Sequence, residues 1–216
     1  MAQPRNRVGG GSLTREQFLL REMRIVADLR TQGEPDDEII QRVKRENLFQ
    51  YGTERMLADR ARACLQRLDA LENADGSSES CEAAARLTEL IARGTPEAAG
   101  QANLYAMIRR YELMRAFIGT EIADRLACLD YTFTRVDMNA FFTRYQLENA
   151  EAATWSDATV YRIKSTLASC LINVGMLDST KGGHLSPLML DFDVESAMKE
   201  NGDADIAAAL SGLGAM

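Results

Sequence analysis

Between Ser156 and Gly175 this sequence permits little besides an α-helix, and the residues after Gly175 narrow the folds that helix can belong to. Val160, Ile163, Leu167, Leu171 and Val174 recur three or four residues apart, the spacing of one helical face. Ser156 can accept a backbone N–H of the first turn, and Gly175 stands where a left-handed residue closes a helix. The opposite face, with Ala158, Arg162, Ser165, Ser169 and Asn173, is small, polar and lightly basic. Taken alone, that pattern fits an ordinary surface helix as well. The continuation shifts the reading: Met176-Leu177 and His184-Leu185 flank a Gly182-Gly183 turn, and Pro187 suits a sheet edge. A helix followed by a small β-hairpin is the second half of a winged helix-turn-helix.

The first half of that module is also readable. Thr134-Arg135-Val136-Asp137 resembles a capping box, with Asp in place of Glu, and opens a helix expected to bury Val136, Phe141, Phe142 and Tyr145. Asn149 to Thr154 reads as a turn, and Trp155 as a core anchor beneath it. Upstream, helical stripes follow one another. One starts at Thr14 and ends before Gly33; one opens at Glu34-Pro35-Asp36-Asp37; one is capped by Thr53 and turns Met56, Leu57, Ala61, Cys64, Leu65, Leu68 and Leu71 inward; one covers about 79–92. From Thr95-Pro96-Glu97 an apolar pattern runs on to Leu126, long enough to demand a kink or break near Arg109-Arg110 or Gly119. The expected fold is all-α. A flexible arm (1–12) precedes a helical bundle (13–130), a winged-helix-like region (131–192) and an acidic, weakly helical tail (193–216).

Charge constrains partners. The net charge is −7, which argues against a strongly basic nucleic-acid binder. The acids concentrate in the middle and the tail, whereas residues 1–67 carry 13 Lys+Arg against 10 Asp+Glu. Fields act over roughly 8–10 Å in physiological salt, so a local basic face can still meet phosphate, weakly and with steep salt dependence. The densest positive grouping is Arg42, Lys44 and Arg45 with Arg55, Arg60, Arg62 and Arg67; a solvated face laced with helix ion pairs explains it slightly better.

Other functions lack their residues. There is no G-x-G-x-x-G, no G-x-x-x-x-G-K-[ST] and no H-E-x-x-H. His184 is the single histidine, and nothing sets a nucleophile beside a base, so an enzyme is not expected and neither is a cofactor or metal. Cys64, Cys81, Cys128 and Cys170 form no C-x-x-C pair and read as reduced core thiols. No run approaches the ~20 apolar residues of a membrane span, and Met1 to Gly11 lacks the apolar core of a secretory signal, which points to the cytoplasm without a membrane partner.

Several segments, in order, resemble the BrxA family of small helical proteins from bacterial BREX phage-defence islands. They are Gly33 before an acidic start and Ile39-Ile40; Asn47-Leu48 before Thr53 and the arginine-rich helix to Arg67-Leu68; Gln101 with Leu104-Tyr105-Ala106; Phe117-Ile118; Phe141-Phe142; and Trp155-Ser156 running to Gly175-Met176-Leu177. Together they cover about residues 13 to 190. The resemblance implies an N-terminal helical bundle similar to the RNA-binding NusB type, a winged-helix part, binding to double-stranded DNA, no assigned enzymatic activity, and other phage-defence proteins as partners. Some members are described as inner-membrane proteins, for which this sequence offers no support. It also departs from a basic wing, Lys181 being the only cation of the hairpin.

Three functions compete. In the first, a DNA-binding accessory protein, Thr159, Arg162 and Ser165 approach a groove, while Arg144, Lys164, Lys181, Arg55, Arg60, Arg62 and Arg67 meet phosphate. In the second, a protein-interaction adaptor within a defence complex, the acidic tail suits a basic partner. In the third, the NusB-like helices bind RNA.

Overall fold

Several of the helices begin where a side chain satisfies a backbone N–H that the first turn leaves free. The computed structural model describes residues 3–4, 6–179 and 183–213. Within it α1 spans Leu20–Thr31, α2 Asp36–Glu46, α3 Glu54–Asp69, α4 Ser78–Arg93, α5 Pro96–Arg110 and α6 Glu112–Ala116. Then come α7 Ala123–Ala127, α8 Arg135–Glu148, α9 Ala150–Ala153, α10 Asp157–Asn173, α11 Phe192–Glu200 and α12 Ala204–Ser211. Thr53 caps α3 by accepting Met56 N–H at 3.3 Å, and Ser156 caps α10 by accepting Thr159 N–H at 3.2 Å. Thr134 and Asp137 form a full capping box on α8, Asp137 accepting Thr134 N–H at 2.7 Å. Gly175 takes φ +78° after α10, the left-handed closure its position demands.

By their contacts the residues fall into two units, each gathered from separate parts of the chain. The first holds residues 1–7, 19–110 and 191–202, hence α1–α5 and α11. Its central helix is α5, whose residues from Ala98 to Arg110 are all buried, so past Pro96 and Glu97 no face of it is left for solvent. A buried cation tightens this unit. Arg109 donates to Ala70 O at 2.6 Å, Glu72 O at 3.1 Å and Asn73 Oδ1 at 2.7 Å, meeting carbonyls just past the end of α3. Asn201 ties α11 in, donating to Leu71 O at 3.0 Å and pairing with Ser80 at 2.8 Å.

The second unit holds residues 8–18, 111–190 and 203–216, and carries the candidate site. The long apolar pattern after Pro96 breaks at Tyr111, which is extended (φ −111°, ψ 117°). There Val8 and Gly9 offer their carbonyls to Glu112 N–H and Leu113 N–H at 2.8 and 2.9 Å. The run loosens again at Phe117–Ile122, a π-helical turn around Gly119. Its Phe117 begins an aromatic chain. Phe117 lies 5.8 Å from Phe133 and 5.1 Å from Phe141; Phe141 meets Phe142 and Tyr145, and Tyr145 meets Trp155.

Two short strands complete it. β1 (Thr132–Phe133) pairs antiparallel with β2 (Gly183–His184), Thr132 opposite His184. Leu177 bridges Leu185, and Ser186 N–H donates to Met176 O at 2.8 Å, so the arms expected to make a hairpin do meet. Gly183 lies in β2, while Lys181 and Gly182 of that turn lie outside the described residues.

Several expectations need correction. Thr14 ends a 3₁₀ turn (Gly11–Thr14), and α1 begins only at Leu20, after Leu19 at φ +51°. Within residues 8–12, expected in a flexible arm, Val8 and Gly9 bond to α6, and the next residue, Leu13, is fully buried and accepts Thr166 Oγ1 at 3.1 Å. Met56, expected inward on α3, is 45 % exposed. Asn149–Thr154 includes a helical turn rather than a simple bend. Val136 faces outward at 74 % exposure, because Met138, Phe141, Phe142 and Tyr145 set the inward face on the other side of α8. Cys64 and Cys170 are buried thiols, but Cys81 and Cys128 are exposed.

Candidate nucleic-acid interface

The outward face of α10 is fixed by what its inward face must do. Val160, Ile163, Leu167, Cys170 and Leu171 are buried, which turns Ala158, Arg162, Ser165 and Asn173 to solvent with Ser169 at their edge. Tyr161 shares that face at 75 % exposure, one turn from both Ala158 and Ser165. Thr159 is partly spent on the cap, its hydroxyl 3.0 Å from that of Ser156.

Two hollows flank this ridge. One, of 240 Å³, is lined by Phe133, Thr134, Arg135, Met138, Asn139 and, from α10, Tyr161, Lys164, Ser165 and Ala168, with Leu177 and Ser179 beyond. The other, of 360 Å³, brings Thr14 and Gln17 to Tyr161, Arg162, Ser165, Thr166 and Ser169. Lys164 crosses toward α8, its ammonium 2.8 Å from Asn139 Oδ1 and 5.1 Å from the Phe142 ring centre. Burial holds its pKa below the ordinary lysine value, against the pull of Asp157.

Charge pairing divides the cations. Among the described residues, Arg135, Arg162 and Lys164 have no carboxylate at ion-pair distance. The expected basic grouping of the first third is different. Arg42 is paired to Glu34 and Glu46, Lys44 to Glu54 at 3.2 Å and Arg45 to Glu46 at 3.3 Å. Arg55 and Arg62 share Asp59 at 3.8 and 3.4 Å. Arg60 is half-buried near Tyr51. Arg67 is fully buried, which removes it from any phosphate surface and corrects the expectation for it. Arg144 is exposed but paired with Glu121. Lys181 lies outside the described residues.

The start of α8 is held by a second charged knot. Arg125 bonds Glu121 at 2.9 Å, Asp130 and Asp137 at 2.7 Å each, and the carbonyl of Thr132 at 2.8 Å. It thereby links the π-turn, the entry to β1 and the first turn of α8, and so fixes where Arg135 emerges. Burial alone would push the Asp137 carboxyl up; hydrogen bonds from Thr134 and the charge of Arg125 outweigh it and hold that pKa below the ordinary range. Among the described residues no group of His, Cys, Asp or Glu is arranged to hold a metal, and no helix is long and apolar enough to cross a membrane.

Comparison with known proteins decides the family. The BrxA family model matches residues 10–202. The chain belongs to the BrxA family. A BREX protein BrxA from Bacillus cereus (strain H3081.97) is 26 % identical over 187 residues, covering 86 % of this chain and 88 % of that one. A second, from Paramagnetospirillum magneticum (strain ATCC 700264 / AMB-1), is 22 % identical over 205 residues, 94 % of each. The fold is shared with the crystal structure of an uncharacterized protein from Magnetospirillum magneticum, at a TM-score of 0.77 and 18 % identity, over 97 % of this chain and all of that one.

For this BrxA-family chain, sequence reasoning missed Tyr161, Arg135, Thr14 and Gln17 at the ridge and its hollows. Tyr161 was legible, since it stands three residues after Ala158 and four before Ser165. Thr14 and Gln17 were not, because only tertiary packing brings the 3₁₀ turn to α10.

Proposed function

We propose that this BrxA-family protein is an accessory component of a BREX phage-defence system that binds double-stranded DNA through the outward face of α10. The observation that carries this reading is the contrast in pairing. In a molecule of net charge −7, Arg135, Arg162 and Lys164, around α10 and the start of α8, lack carboxylate partners among the described residues, whereas the cations of α2 and α3 are mostly neutralised in place. An unpaired guanidinium or ammonium beside a small polar helix face suits a phosphate backbone flanking a groove. The order β1, α8, α10 and then the Leu177–Leu185 pairing supports reading residues 131–192 as a winged helix, with α10 as its recognition helix. In this reading Arg162 and Ser165 face base edges, Tyr161 lies beside them, and Arg135 and Lys164 meet phosphate. Arg55, Arg60 and Arg62 fall to a minor role, and Arg144 contributes only when released from Glu121.

The test is fluorescence anisotropy with a labelled duplex from low to physiological salt, with a matched RNA duplex alongside. Saturable DNA binding that weakens with salt is expected, and its absence at low salt refutes the proposal. A second reading, a protein-interaction adaptor, is favoured by one observation: Val136 and Leu147 stand 74 % and 83 % exposed on α8. Nuclease-resistant co-purification with another defence protein, lost in Val136→Asp, supports that alternative.

A further inference from the structure

We propose that the hollow enclosed by β1, the start of α8 and α10 binds a single unstacked nucleotide, its ring on the apolar floor and its phosphate against Arg135 and Lys164. This deepens the DNA-binding reading, yet it rests on a chemistry of its own. A site that only tracked a phosphate backbone would need cations and polar donors. This one also has a floor of Phe133, Met138 and Leu177, all buried side chains whose surfaces line the hollow. Thr134, Asn139, Ser165 and Ser179 supply polar groups around it, and among the described residues no Asp or Glu lines it. Apolar walls with a few convergent polar groups are the ordinary make-up of a small-ligand site. At 240 Å³ the hollow is below the ~300 Å³ where drug-sized sites begin, so its room matches one base with the phosphate held at the mouth, and not a stacked pair.

Lys164 fits the phosphate end. Its ammonium has three donors, one of which is directed to Asn139, and it is partly desolvated over Phe142. A cation held in that condition gains from an incoming anion, and no carboxylate of the described residues is at ion-pair distance to pre-empt it. Arg135 adds a planar fork suited to two phosphate oxygens. The nucleotide has two possible sources with the same chemistry. It is either unstacked from a strand docked along α10, at a cost of a few kcal/mol, or free in solution.

The experiment uses the full chain with four probes: 5′-dTMP, thymidine, a short matched duplex and the same duplex with one central mismatch. At low salt dTMP should bind, with thymidine about tenfold weaker or worse, a difference of ~1.4 kcal/mol. Arg135→Ala and Lys164→Met should each weaken dTMP about tenfold without lowering the thermal midpoint; Met keeps an apolar stem over Phe142. On the unmodified protein, dTMP should shift the amide resonances of Thr134, Asn139, Lys164 and Ser165, which keeps the proposal testable even if a variant folds poorly. A mismatched duplex that binds more tightly than the matched one, with the advantage lost in both variants, supports a strand as the source. Equal duplex affinities together with dTMP binding support a free nucleotide. Duplex binding without dTMP binding, or dTMP binding indifferent to both variants, overturns the site while leaving the DNA reading intact. Binding of dTMP without any duplex binding leaves the site and removes the DNA reading.

Discussion

Arg162 and Arg67 show how differently one residue type is used here. Arg162 is exposed, has no carboxylate partner among the described residues and sits on the outward face of α10. Arg162→Glu is therefore expected to weaken duplex binding at least about tenfold while leaving thermal unfolding where it was; anisotropy and a melting curve together check this. Arg67 is fully inside. Arg67→Ala should leave duplex affinity unchanged and cost about 2–3 kcal/mol in urea unfolding, since it strands the groups that surround a buried guanidinium. The sequence could not separate these two arginines by composition. Arg67 sits beside Leu68 and Cys64 on a helix whose Arg55 and Arg62 point outward, and only packing reveals which turn of α3 is enclosed.

Helix starts with a side-chain cap were the most legible feature, because a cap needs only three or four consecutive residues. Thr53, Thr134 and Ser156 all bond as their sequences require. The break at Tyr111 was only half legible. The apolar run was too long for one helix, but its interruption depends on carbonyls at Val8 and Gly9, about a hundred residues away. Val136 was misplaced because an apolar residue near a cap fits either side of the first turn. At this scale Asp137 controls α8. Its folded pKa lies below the ordinary value, so its contribution is present above about pH 4 and disappears as pH falls through the folded pKa. Asp137→Asn should flatten the acid limb of the stability profile, measured by denaturant midpoints from neutral to acid pH. Gly10, at φ +143°, brings a second expectation. An added Cβ would approach Leu113 Cβ at 2.7 Å, so Gly10→Ala should lower stability by about 1–3 kcal/mol, read from the same unfolding curves.

For the whole molecule, an acidic net charge and a small set of unpaired cations predict weak, salt-sensitive association. If Arg135, Arg162 and Lys164 are the main phosphate contacts, log affinity should fall against log salt with a slope of about −3. A slope near zero would remove them from the interface. All-helical character and family were legible in the sequence; the gathering of each unit from three separated stretches was not, since periodicity is a local property. That gathering has a practical consequence for anyone who dissects this protein. A fragment starting near residue 131 would carry β1, α8 and α10 but lose the 3₁₀ turn whose Leu13 carbonyl is bonded by Thr166, the aromatic Phe117 that meets Phe133 and Phe141, and the α7 arginine that anchors the first turn of α8. Failure of such a truncated piece to retain DNA would thus report a collapsed scaffold and say nothing about the face it was meant to isolate.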